Sequence, residues 1–139
     1  MIYKENVLKY EDYFNLRHSV GWSNFSKEQA VSALQHSLYD IIAVDSERVV
    51  GMGRLVGDGL YCVVVDIVVA PDYQHRGIGC EIVRKILDYA DGHAPSGSRT
   101  CVQLISEKGK ESFYENMGFK LIPHENCGCG MRKIIYKEE

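Results

Sequence analysis

The sequence predicts an α/β fold, a mixed sheet with helices on both of its faces. Three observations lead there. Segments of helical and of strand period interleave along the chain. The run Tyr61 to Ala70 is apolar at nearly every position, the pattern of a strand covered on both sides. Directly after it, a glycine-containing loop leads into an amphipathic stripe, as at a strand-to-helix junction.

Ile2 and Tyr3 open a short strand, and Glu11 to Val20 carries Phe14, Leu16 and Val20 in a loosely helical pattern. Ser26, with Gln29 three residues later, reads as a capping box ahead of Ala30, Ala33, Leu34 and Leu38 at helical spacing. Ile41 to Val44 and Val49 to Val56 are β-rich runs on either side of Asp45-Ser46-Glu47-Arg48, a hairpin-loop composition. Gly57-Asp58-Gly59 forms a second turn before Tyr61 to Ala70. Pro71 has no N–H to give a ladder and ends that strand. Ile78, Ile82, Val83, Ile86, Leu87 and Ala90 then make a helix stripe, with Glu81–Lys85 and Arg84–Asp88 as i,i+4 pairs on its wet face. After the loop from 92 to 98, Thr100 to Ile105 reads as a strand. Gly109 to Met117 reads as a helix with Gly118 at its C′ position, and Phe119 to Ile122 and Met131 to Tyr136 as two last strands.

The chain has 139 residues, the size of one domain over 1–139, and 45% hydrophobic residues suffice for a core. Sixteen basic against 19 acidic residues, a formal charge of −3, leave no electrostatic footprint for nucleic acid or an anionic membrane. No apolar run approaches the roughly 20 residues of a membrane span, and MIYKENVLKY lacks the pattern of a signal peptide. A cytoplasmic location is the expectation. The five cysteines are odd in number, and three lie in apolar or helix-forming stretches, which suits reduced thiols.

Gln74-x-x-Gly77-x-Gly79 lies where unpaired amides and the helix dipole together make an anion site. Glycines at 77 and 79 allow a ligand close to the backbone, with His75 or Arg76 adding charge at the rim. A bare G-x-G is equally well explained as a tight turn. Neither a dinucleotide fingerprint nor a Gly-Lys-Ser/Thr phosphate loop is present.

The segment from Val68 to Gly79 resembles motif A of the GNAT superfamily, the acetyl-CoA-dependent N-acetyltransferases. About 35 residues beyond that loop, Ser112-Phe113-Tyr114-Glu115-Asn116-Met117-Gly118-Phe119 resembles the family's FYEKLGF segment. The resemblance implies the GNAT fold: a mixed, mostly antiparallel central sheet with a V-shaped splay between Tyr61–Ala70 and Thr100–Ile105. It further implies that Ile67, Val68 and Val69 offer main-chain groups to the pantetheine arm of acetyl-CoA, with the thioester carbonyl near Val69. Gln74, His75, Arg76, Gly77, Ile78 and Gly79, with Cys80, would wrap the pyrophosphate. Tyr114 would be the general acid that protonates the departing thiolate, and its phenol stays protonated at neutral pH. Family members often dimerise through late strands, although no apolar stripe in this chain specifies a homodimer. The chain departs from the family at Glu107, where an Asn is common; Lys108 or Lys110 is placed to reach a CoA phosphate.

Asp66 is the one charged residue in its apolar run, a costly place for an unpaired carboxylate. It is the first candidate for taking a proton from the amine; a structural ion pair or an anchor for a substrate ammonium explains it equally well. Trp22, the only tryptophan, either walls the acceptor pocket or packs in the core. Arg54 either binds substrate or pairs with Asp66. His124-x-x-Cys127-x-Cys129 supplies three nitrogen and sulfur ligands at an unusual spacing with no fourth, so a Gly-rich loop without metal is expected. Gly53-Arg54, Asp58-Gly59 and Asp66 to Gln74 are also similar to arylalkylamine-type acetyltransferases of plants and cyanobacteria. The expected activity is direct acetyl transfer from acetyl-CoA to a primary amine of a small molecule. Acetylation of a protein lysine or N-terminus, and a non-catalytic acetyl-CoA-binding module, are the alternatives.

Overall fold

The computed structural model describes residues 1–139. Packing divides the chain into two compact units, 1–105 and 106–139. The first holds a five-stranded sheet in chain order: β1 (Ile2–Glu5), β2 (Tyr39–Asp45), β3 (Arg48–Gly57), β4 (Tyr61–Val69) and β5 (Cys101–Gln103). The first four strands run antiparallel, and β5 lies parallel to β4. A parallel neighbour needs a long crossover. The helix α3 (Ile78–His93) supplies it. The α/β architecture expected from the sequence is the one observed.

Local chemistry sets the turns. Ser46 and Glu47 both adopt positive φ, +48° and +72°, which matches the right-handed twist of the β2–β3 hairpin. In the next turn Asp58 Oδ1 accepts the N–H groups of Leu60 and Tyr61, both at 2.9 Å. The helices α1 (Tyr10–Ser19) and α2 (Lys27–Gln35) lie between β1 and β2. Ser26 caps α2 as its sequence suggests, its hydroxyl oxygen accepting the Gln29 N–H at 3.2 Å.

Both faces of the central strands are covered. On one, α3 packs so closely that a Cβ at Gly53 would lie 2.6 Å from Ile82 Cγ2 and from Ile67 Cδ1. Gly53→Ala is therefore expected to destabilise the fold by about 1–3 kcal/mol, the usual cost of overpacking, read as a drop in the denaturation midpoint at unchanged slope. On the other face Arg54 points toward α1 and α2, and α1 reaches β4 through Arg17.

Two irregularities shape β4. Met52 pairs with Val68 and Arg54 with Val65, so Gly53 faces two residues, Asp66 and Ile67. This is a β-bulge, and Asp66 adopts φ +57° within it. The ladder to β5 covers only Tyr61↔Cys101, Cys62↔Val102 and Val63↔Gln103. From Val64 onward that edge of β4 has no strand beside it, which is the splay the resemblance implies.

The second unit contains α4 (Glu111–Glu115), shorter than the helix expected over 109–117. Gly118 at φ +95° ends its turn, with Phe119 N–H donating to the Tyr114 carbonyl at 3.1 Å. The two last strands expected over 119–122 and 131–136 are not formed. A run of β-formers becomes a strand only with a partner ladder, and the pairing here is the single bridge His124↔Cys127. Met131, Ile135 and Tyr136 are accordingly exposed.

Candidate active site

The loop between β4 and α3 has the shape that anion binding requires. A short turn of 3-10 helix, Pro71–Tyr73, leads out of the strand, and His75 and Gly77 then bend the backbone at φ +63° and +83°. Gln74 does not point outward: its Nε2 donates to the Val69 carbonyl at 3.0 Å, pinning the loop to the end of β4. Arg76 Nη2 donates to the Asp72 carbonyl at 2.9 Å, and its guanidinium lies 4.8 Å from the Tyr73 ring. Tyr73 is held in turn by its hydroxyl donating to Asp45 at 2.6 Å.

The first intrahelical bond of α3 runs from Glu81 N–H to the Gly77 carbonyl, and no side chain caps the helix start. The amides of Ile78, Gly79 and Cys80 thus precede the helix ladder and are the donors a helix start offers to phosphate oxygens. A Cβ on Gly77 would meet no atom within 4 Å, so the cradle is open above the loop. Together with the free edge of β4 from Val64 to Val69, these residues fit a long phosphorylated thiol such as CoA: backbone polar groups for its amides, a helix start for its pyrophosphate.

Behind the bulge lies a cluster of charges and rings. The Asp66 side chain is 7% exposed and takes two guanidinium groups: Arg17 Nη1 donates to Oδ1 at 2.6 Å and Arg54 Nε to Oδ2 at 3.0 Å. Arg54 also donates to the Ser37 hydroxyl at 2.9 Å. Arg17 sits 5.6 Å from the Tyr13 ring, 5.2 Å from Trp22 and 5.1 Å from Phe25. Tyr13 faces Arg54 as well, at 5.7 Å, and burial raises its phenol above the ordinary value.

In the second unit Tyr114 stands on α4 with its ring edge-on to Phe113 and Phe119, at 4.9 and 5.9 Å. Burial, with a smaller push from the Glu107 carboxylate, raises its phenol above the usual value. It is therefore neutral at physiological pH.

The family model that describes an acetyltransferase (GNAT) domain matches residues 36–121. The chain belongs to the GNAT acetyltransferase family. A GNAT-family acetyltransferase from Streptococcus pneumoniae is 36% identical, with a TM-score of 0.80 over 98% of each chain. The rice serotonin N-acetyltransferase 2 (chloroplastic) is 30% identical over 75% of this chain and 52% of its own length. A Brucella melitensis GNAT-family acetyltransferase solved in complex with acetyl-CoA shares the fold, at 23% identity and a TM-score of 0.60 over 86% of this chain and 84% of its own. The match spans 52 to 66% of the length of the curated relatives.

Within this GNAT domain the loop from Gln74 to Cys80 is tied to the strand segment Ile67 to Val69 by the Gln74 side chain on the Val69 carbonyl. Asp66 and Arg54 pair directly, and Trp22 joins them through Arg17. Sequence alone does not single out Arg17, Tyr13 or Phe25, since an arginine on a helix of mixed character reads as a surface residue. The i,i+4 spacing of Tyr13 and Arg17 was the available signal, and it gains meaning only beside Asp66. His124 and Cys127 are joined through their backbones, and no group of three His, Cys, Asp or Glu side chains is placed to hold a metal ion. No helix is long and apolar enough to cross a membrane.

Proposed function

We propose that the chain is an acetyl-CoA-dependent N-acetyltransferase whose acceptor is a primary amine on a small molecule, with 1–139 working as one GNAT domain. The observation that carries this reading is the cradle of Gln74 to Cys80 set at the end of a bulged, splayed β4. The family match from 36 to 121 runs across the division between the two compact units, which supports a single domain. When bound, acetyl-CoA supplies the thioester. Backbone along Ile67 to Val69 holds the pantetheine, the amides at the start of α3 hold the pyrophosphate, and Arg76 adds positive charge. The Val69 amide polarises the acetyl carbonyl. Tyr114 gives its phenolic proton to the sulfur as the C–S bond breaks and the amine nitrogen bonds to the acetyl carbon.

Asp66 is assigned a different part from the first expectation. Both its oxygens already hold guanidinium groups, so taking a proton from the amine would mean releasing one of them. The ion-pair alternative fits, and the same contacts favour Arg54 as its partner over Arg54 as a substrate ligand. Deprotonation of the amine then falls to water or to the bulk base.

The likeness to a serotonin N-acetyltransferase makes arylalkylamines the first acceptors to test. A thiol-release screen with arylalkylamines, polyamines, aminosugars, amino acids and peptides is expected to show free CoA with the first group. Tight acetyl-CoA binding without thiol release from any amine would move the chain to the non-catalytic reading; release only with peptides would make it a protein acetyltransferase.

A further inference from the structure

We infer that Arg17 is a positioning residue: it latches the loop of residues 20–26 onto the bulge of β4 and so holds the wall past which the acceptor must reach the acetyl group. This rests on the acetyl-transfer reading for the word acceptor, but the latch itself stands on geometry. One guanidinium serves two separate pieces of chain. Nη1 donates to Asp66 on the bulge at 2.6 Å, and Nη2 donates to the Ser23 carbonyl in the loop at 2.5 Å. The same group lies against the rings of Trp22 and Phe25, one on either side of Ser23. The base of the loop is tied too, since Trp22 N–H donates to the Arg17 carbonyl at 3.0 Å.

The choice of arginine is informative. Its Nε is buried and has no hydrogen-bond partner, a cost that a lysine would avoid. A lysine ammonium, a single point charge, cannot span Asp66 and Ser23 as a fork does. Stability alone therefore does not explain the side chain, whereas a bridge does. Asp66 immediately precedes Ile67 to Val69, the strand residues assigned to the pantetheine, so whatever Arg17 fixes to Asp66 borders that groove at the end away from the phosphate loop. Asp66 keeps Arg54 as a partner when Arg17 is replaced, which leaves no isolated buried charge.

Trp22 is the only tryptophan and lies inside the latched loop, so its fluorescence reports the latch directly. The test compares wild type with Arg17→Met and Arg17→Lys in two measurements: acrylamide quenching of Trp22, and steady-state kinetics with acetyl-CoA and 2-phenylethylamine. The expected result is a quenching constant at least about two-fold higher in Arg17→Met and intermediate in Arg17→Lys. The KM for the amine should rise about 10-fold, with kcat and the KM for acetyl-CoA within about three-fold. Quenching unchanged in both folded variants overturns the latch, as does a fall in kcat at unchanged amine KM. If Arg17→Met does not fold, Arg17→Lys alone decides on the same criteria. Should wild type release no thiol with any amine, the acetyl-transfer reading fails while Trp22 quenching still decides the latch.

Discussion

Replacing Tyr114 by phenylalanine is expected to lower kcat about 100-fold and to leave acetyl-CoA affinity within about two-fold, since a positioned general acid contributes 10²–10⁴ in rate. The change removes one hydroxyl and keeps the ring that packs edge-on with Phe113 and Phe119, so the local fold should survive. Chemistry without the donor must expel a thiolate unassisted. The pH profile gives a second check. A raised phenol pKa means the neutral, donating form persists to higher pH than in a free tyrosine. The high-pH fall of kcat in wild type should therefore begin only above about pH 10. Glu107→Gln removes a negative charge that disfavours phenolate, so it should move this limb toward lower pH; in Tyr114→Phe the limb should vanish. Turnover of the phenylalanine variant equal to wild type at saturating substrates would remove Tyr114 from the mechanism.

The second large effect is expected at the cradle. Gly77→Val should weaken acetyl-CoA binding about 100-fold by calorimetry, with a much smaller loss of fold stability. Gly77 adopts φ +83°, where a β-branched residue is strained by about 1–2 kcal/mol. No atom lies within 4 Å of a Cβ at this position, so steric conflict with the protein does not add to that strain. The binding loss has a separate origin. Two valine methyls would stand over the amides of Ile78 and Gly79, where phosphate oxygens must approach. A variant that binds acetyl-CoA like wild type would show that the cradle is only a turn. Gly77→Ala should fall between the two, since it strains φ with far less bulk.

Much of the first unit was legible because its signals are local. Ser26 with Gln29 marked a helix start, the apolar run from 61 marked a doubly covered strand, and Gly77 and Gly79 marked a tight strand-to-helix turn; each follows from backbone chemistry within a few residues. The two last strands expected from composition do not form, for the complementary reason. Phe119 to Ile122 and Met131 to Tyr136 have strand composition, but pairing depends on a neighbour, and the single His124↔Cys127 bridge is what their unit provides.

The sequence by itself determined the class of fold, the glycine loop at the start of α3, and the order in which that loop and a family-like Tyr114 segment follow along the chain. These depend on residue type, spacing and order along the chain. The tertiary structure alone decided the partners of Asp66. In sequence it is a lone carboxylate among valines, open to catalysis, anchoring or an ion pair. Folded, it meets Arg54 from twelve residues away and Arg17 from forty-nine, and both oxygens are taken. A charge's role is set by what lies within a few ångströms of it, and those neighbours come from strand register and helix packing that no short stretch of sequence encodes.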